Sequence, residues 1–212
     1  EGKDWKRFSR EGRREAAQFK RQPLPVLTVP RVAATGGDLA AVDWSVAVTG
    51  KVERRIMDSC RLPGPAPEFR LLHDGANLLV RLEEQADTAT LKSRGLWEGD
   101  HWELVASPVR GGRPRQVGVS FGIGAVGTSA FDQAGRWQVR PKVRQVIEPG
   151  RWIVEAVVPL RELAGRPLKA GGRLYLNLVR ATHSAYRHRA WCPTGDGGFM
   201  GTDRVAEVRL ER

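Results

Sequence analysis

The sequence predicts an all-β domain: a two-sheet antiparallel β-sandwich with jelly-roll or immunoglobulin-like packing, a short helical turn and a basic N-terminal arm. Three observations predict it. Short runs with apolar residues at every second position recur along the chain, as strands with one buried face require. Turn-forming dipeptides, among them Asp74-Gly75, Ala134-Gly135, Pro149-Gly150 and Gly171-Gly172, punctuate those runs. Within the body, only residues 160–164 read as a helical turn.

Residues 1–28 are expected to form a basic arm or linker, and residues 29–212 the sandwich. The stretch DWKRFSREGRREAAQFKRQPLP ends on Pro23-Leu24-Pro25 and suits a short helix over residues 13–20, with Ala16, Ala17 and Phe19 as a sparse apolar stripe. TGGDLAAVDW then reads as a turn and a segment that seats Trp44, followed by an irregular region over residues 49–67. Strands are predicted at 68–73, 77–84, 100–107, 116–123, 137–147, 151–160, 173–181 and 204–210. Val117, Val119, Phe121 and Ile123 share one face of their strand, as do Trp152, Val154, Ala156 and Val158 of another and Leu174, Leu176 and Leu178 of a third. Eight runs with one apolar face each imply two packed sheets.

The 35 Lys and Arg residues outnumber the 24 Asp and Glu, giving a net charge of +11 and a pI near 10.6, so the chain attracts polyanions. No helix-turn-helix, zinc finger or RNP-type aromatic signature accompanies that charge, which argues against nucleic acid, the first class such a pI suggests; acidic or sulfated polysaccharide is the second class, and a solvated face the plain alternative. No apolar stretch approaches the ~20 residues of a membrane span. Cys60 and Cys192 are too few for a disulfide framework and too far apart for a zinc motif, while a single bridge stays open. The chain starts at Glu1, compatible with removal of a signal segment or a preceding domain. No G-x-S-x-G, H-E-x-x-H or P-loop sequence occurs, and Glu98 and Glu103 show no placement across a scissile bond, so a binding domain is expected rather than an enzyme.

The segment WEGDHWE, residues 97–103, carries the most chemistry. Alternation from Asp100 turns Trp102, Leu104 and Ala106 to the core and His101, Glu103 and Val105 to the other face. Glu103 would then face outward beneath the Trp97 ring, a flat surface beside a carboxylate that suits a sugar, or it would pair with a nearby cation. Asn177, turned away from the apolar face of its strand, joins His101 and Glu103 in one polar floor or serves an internal hydrogen-bonding role. The stretch HSAYRHR, residues 183–189, offers arginine forks to sulfate or carboxylate groups or forms a solvated hairpin tip. It leads to Trp191, a core anchor or a further ligand contact.

The ordered landmarks TGGDLAAVDW, FRLLHDGANLLVRLE, LWEGDHWELVASP, GRWIVEAVVPLREL, GGRLYLNLVRAT and AWCPTGDGGFMGTDRVAEVRL resemble the family 9 carbohydrate-binding modules, which are related to the DOMON domains, over about residues 29–212. The resemblance implies a terminal sugar held between two rings. Trp97 matches the first ring, Glu103 the strand carboxylate, Phe199 the second ring and Asp196 a position that the family fills with an amide. Three positions depart from the sugar-binding pattern: no arginine stands in the Gln116 to Val119 region, Val179 replaces a glutamine, and Thr35-Gly36 replaces Asp-Gly. A ligand other than a glucose-type terminus, or loss of sugar binding, follows from those departures.

The resemblance also raises a structural calcium, for which Asp38, Asp43, Asp74 and Asp100 lie at turns without a dense Asp-x-Asp-x-Asp loop, so no metal site is named. DOMON relatives hold a b-type haem, and Met200 with His101 is one conceivable axial pair here, although neither Met57 nor Met200 sits in a ligand motif. The expectation is therefore a non-catalytic carbohydrate-binding module of a secreted or periplasmic bacterial protein, without a required cofactor, recognising an oligo- or polysaccharide of acidic or sulfated character. An assembly domain that meets a protein partner through residues 1–28 is the alternative, and a haem-binding redox module the third reading.

Overall fold

The computed structural model describes residues 10–34, 36–56, 59–92, 99–123, 141–183, 188–194 and 201–212. A helix, α1 (Arg10–Arg21), precedes β1 (Val26–Val29), and two short 3-10 turns over Leu39–Ala41 and Trp44–Val46 lead to β2 (Val48–Lys51). The strands β3 (Arg54–Arg55), β4 (Glu68–His73), β5 (Asn77–Gln85), β6 (His101–Ser107) and β7 (Arg115–Ser120) follow. The chain continues through β8 (Lys142–Glu148), β9 (Arg151–Pro159), the one-turn helix α2 (Leu160–Ala164), β10 (Arg173–Ala181), β11 (Arg189–Ala190) and β12 (Ala206–Leu210).

Among the described residues these strands form two sheets. The five-stranded sheet has the order β2-β4-β5-β9-β8, while the seven-stranded sheet joins β1, β12, β10, β11 and β3 with β6 and β7. Among the described strands all pairings are antiparallel except β1 with β12, which departs from the purely antiparallel expectation, and a lone parallel bridge joins Arg31 to His73. A parallel neighbour needs a long connection, and the first and last strands of the domain have nearly the whole chain between them. The sandwich thus takes in Val26 to Thr28, three residues that the expected boundary left in the arm.

The core forms where the expected faces meet. Trp102, Leu104, Ala106, Leu174, Leu176 and Leu178 of one sheet pack on Phe69, Leu71, Val80, Trp152, Val154 and Ala156 of the other. Burial of each large apolar side chain contributes about 1.5–3 kcal/mol, so the alternation sets both the register and the stability. Turn chemistry fixes the hairpins. Pro149-Gly150 closes β8 on β9 across the Glu148–Arg151 pair, and Gly150 has φ +80°, which a side chain at Cβ disfavours. The outer face of the five-stranded sheet is covered by the 3-10 turns, where Leu39, Val42 and Trp44 pack on Leu72, Leu79 and Val157. Asp38 and Asp43 cap these turns by accepting from the amides of Ala40 and Ser45.

Four strands lie where no run was predicted. β2 and β3 fall largely inside the expected irregular region, while β1 and β11 are short strands paired along the seven-stranded sheet. Predicted strand 137–147 is described only from residue 141, and the Ala134-Gly135 turn lies outside the described residues.

Candidate functional site

The outer face of the seven-stranded sheet carries the polar residues singled out in the sequence. Glu103 stands directly opposite Val179 on β10 and Gly118 on β7, with His101 and Asn177 on the same face. The carboxylate is buried, with only 3% of the residue exposed, so it does not face solvent as expected. Its oxygens are engaged internally: His101 Nε2 lies 2.7 Å from Oε1, and Gln116 donates to Oε2. The Nδ1 of His101 lies 2.8 Å from the carbonyl of Gly99, which can only accept, so Nδ1 bears a proton. Ile56, Val179 and Ala190 form a small apolar cluster where β11 and β3 extend the sheet past β10.

Asn177 fills a break in the sheet. β12 pairs with β10 only as far as Leu176, and β11 resumes at Val179. At the gap Asn177 Nδ2 donates to the carbonyl of Cys192 at 2.7 Å, and its Oδ1 accepts from the amide of Cys192 at 2.9 Å. A fully buried amide side chain thus replaces two ladder hydrogen bonds and fixes the chain that leads toward residues 195–200. Trp191, next in line, packs its ring 4.6 Å from Phe69, which places it against the core as an anchor.

A second polar node sits on the inner face at the end of the sandwich. Arg180, 1% exposed, follows the core-facing parity of Leu174, Leu176 and Leu178. Its guanidinium donates to Asp100 Oδ1 at 2.9 Å, to Glu84 Oε2 at 2.6 Å and to the carbonyl of Ala181, and lies 5.0 Å from the Trp152 ring. Asp100 also accepts from the Lys92 amide at 2.8 Å and faces His183 Nδ1 at 3.0 Å. The Asp100 amide donates back to the Lys92 carbonyl at 2.7 Å, so Asp100 clasps the two ends of the 93–98 segment. Trp97 itself lies outside the described residues, as do Asp196 and Phe199.

The described side chains raised for calcium and haem are already engaged within the protein. Asp38, Asp43 and Asp74 cap their own turns, Asp100 is spent on Arg180 and Lys92, and no group of three or more His, Cys, Asp or Glu converges among the described residues. Both ring nitrogens of His101 are engaged, which leaves none for an iron, while Met57 and Met200 lie outside the described residues. Cys60 and Cys192 are both buried and form no disulfide.

Burial lowers the pKa of His188, with the charges of Glu103, His101, Arg180 and Asp100 around it. His188 Nδ1 accepts from the Thr182 amide at 3.0 Å, which puts the proton of its neutral ring on Nε2. Burial likewise lowers the pKa of His73. For Asp100, burial opposes ionisation, but the Lys92 amide and the charges and hydrogen bonds of Arg180 and His183 outweigh it and hold the carboxyl below its usual range. All three groups bind protons more weakly folded than unfolded. Their stabilisation is present above the unfolded values and is lost as pH falls, beginning below 6.5 for the histidines and continuing below 3.8 for Asp100. Chemical denaturation followed across pH 8 to pH 3 should show midpoints that fall steadily, about in these two steps. A flat profile between pH 7 and pH 5 would remove the histidines from this account.

No family model and no curated protein sequence matches the chain. Solved structures do. A family 9 carbohydrate-binding module from Caldicellulosiruptor kristjanssonii, in complex with glucose, superposes with a TM-score of 0.63 at 16% identity, covering 88% of this chain and 96% of that one. The chain has the family 9 module fold. A family 9 module from the same organism in complex with cellotriose gives a TM-score of 0.60 at 15% identity over 87% of this chain and 93% of that one. A candidate carbohydrate-binding protein from Bacteroides uniformis ATCC 8492 gives 0.57 at 16% identity over 89% and 100%. Among the described residues no helix is long and apolar enough to cross a membrane.

Proposed function

We propose that this chain is a non-catalytic carbohydrate-binding module that works outside the cytoplasm on an oligo- or polysaccharide. The family 9 fold over nearly the whole chain is the observation that carries the reading, since structures of that fold are solved with glucose and with cellotriose. Trp97 and Phe199 supply the rings, and Asp196 a polar group beside them. Glu103 and His101 serve as a buried base under that site, and Asn177 as a positioning residue for the loop, because each is already hydrogen-bonded within the protein. Gly118 and Val179 flank Glu103 on both sides, so the glucose-type polar set is not reproduced. The surplus of positive charge favours an acidic or sulfated glycan over a neutral one.

Titration of wild type and Trp97→Ala with neutral, uronate-containing and sulfated oligosaccharides, followed by tryptophan fluorescence, tests this. Saturable binding should weaken by about tenfold or more in the variant, the effect of removing a stacking ring. Equal binding by both proteins would take Trp97 out of the site.

The assembly reading draws on one observation. Helix α1 meets the sandwich through Phe19, 4.3 Å from the Arg54 guanidinium, and through Arg204, which donates to the Lys20 carbonyl at 2.7 Å. A docked basic helix offers a surface to a protein partner, and removal of residues 1–25 would abolish such binding.

A further inference from the structure

A groove of about 750 Å³ lies at the other end of β10 from Asp100 and His101, between the Pro108-Val109 turn, the 166–172 loop and the start of β10 with β12. Four cations, Arg166, Lys169, Arg173 and Arg209, and a single carboxylate, Glu207, line it. Glu207 is already bonded to Arg209 at 2.7 Å, and hydrogen bonding by Arg209 lowers its pKa, with the charges of Arg173 and Arg110 adding to the effect. Arg166, Lys169 and Arg173 are exposed and make no salt bridge among the described residues.

The cations are held close together against their mutual repulsion. Arg173 and Arg209 stand directly opposite each other across the β10–β12 pair, a like-charge arrangement that Glu207, bonded to Arg209, offsets only in part. Arg110 stands behind the lining residue Tyr175: its guanidinium lies 4.5 Å from the Tyr175 ring centroid and donates to the carbonyls of Val205 at 2.8 Å and Asp203 at 3.3 Å. Arg110 occupies one face of Tyr175, and the tyrosine is 9% exposed, so the groove offers little ring surface on which a nucleobase could stack. Val109, 60% exposed, and Leu168 supply an apolar rim instead.

We infer that this groove is a second binding site, which takes the carboxylate- or sulfate-bearing units of an acidic oligosaccharide. The choice of a saccharide rests on the function proposed above; the anionic character rests on the groove alone. Guanidinium forks at Arg166, Arg173 and Arg209 suit planar carboxylates and sulfate oxygens, while C–H faces of the sugar lie on the apolar rim.

The test uses the full chain, its variant R166Q/K169Q/R173Q, and K20Q/R21Q as a charge control on α1. Calorimetric titrations with a sulfated octasaccharide, an oligogalacturonate, cellotriose and an oligothymidylate are run at low and moderate salt, with thermal melts confirming that each variant is folded. The acidic saccharides should bind wild type and the α1 control alike, with affinity that falls as salt rises. They should bind the groove variant about tenfold more weakly or worse, with a shallower salt dependence. Unaltered acidic binding in the groove variant, or binding of cellotriose alone, overturns the inference and leaves the saccharide reading in place. Failure of every saccharide to bind wild type overturns both. Oligothymidylate binding as tight as that of the acidic saccharides, and equally lost in the groove variant, reassigns the groove to nucleic acid.

Discussion

Arg180→Met should lower the unfolding free energy by about 3–5 kcal/mol, the range for removing one partner of a buried charge cluster. In a domain of this size that corresponds to a fall in melting temperature of roughly 10 °C. Arg180 links the sheets: it stands on β10, while Glu84 on β5 belongs to the facing sheet. Methionine fills much of the same volume, so the loss comes from stranding Asp100 and Glu84, whose side chains are 2% and 15% exposed, rather than from a cavity. Urea unfolding of Arg180→Met beside the triple variant that adds Asp100→Asn and Glu84→Gln separates the two causes. Neutralising the acids should restore part of the loss. A single variant within about 1 kcal/mol of wild type would show that the node adds nothing to the apolar core around it. Because Asp100 also clasps Lys92, the single variant should, on the function proposed above, weaken saccharide binding together with stability.

This node shows why the sandwich was legible in the sequence and its polar organisation was not. Leu174, Leu176 and Leu178 announce a buried face through period-two spacing, which a strand imposes on its own residues. Arg180 continues the same parity, but a charge at that position gives no sign of burial until its partners are known, and they lie 80 and 96 residues away. A usable signal was present in the pair formed by an arginine on an apolar parity and an aspartate at the mouth of the neighbouring strand. Glu103 illustrates the converse. Its face was read correctly, but its burial comes with hydrogen bonds to His101 and to Gln116 of β7, 13 positions away, which the alternation of β6 alone does not reveal. The groove cations were also invisible, because Arg173 and Arg209 are 36 positions apart and only the β10–β12 register brings them face to face.

Asn177→Ala should cost about 2–4 kcal/mol, since it leaves the buried N–H and C=O of Cys192 without their partner. At this position one side chain both donates and accepts where the sheet is interrupted. Asn177→Asp keeps the acceptor for the Cys192 amide but faces the Cys192 carbonyl with a second acceptor, so it should not restore the loss. Cys192 provides a local reporter of the same break. Its thiol is fully buried, and burial pushes its pKa up to about 12, so in the wild type it reacts with an alkylating reagent only through opening of the fold. In a Cys60→Ser background, the alkylation rate of Cys192 should rise about tenfold or more in Asn177→Ala under conditions where the protein remains folded. If the whole domain were destabilised evenly, Arg180→Met would accelerate alkylation as much for each kcal/mol lost. A disproportionate response in Asn177→Ala would show that the break at β10 opens locally, and that Asn177 holds the chain at Cys192.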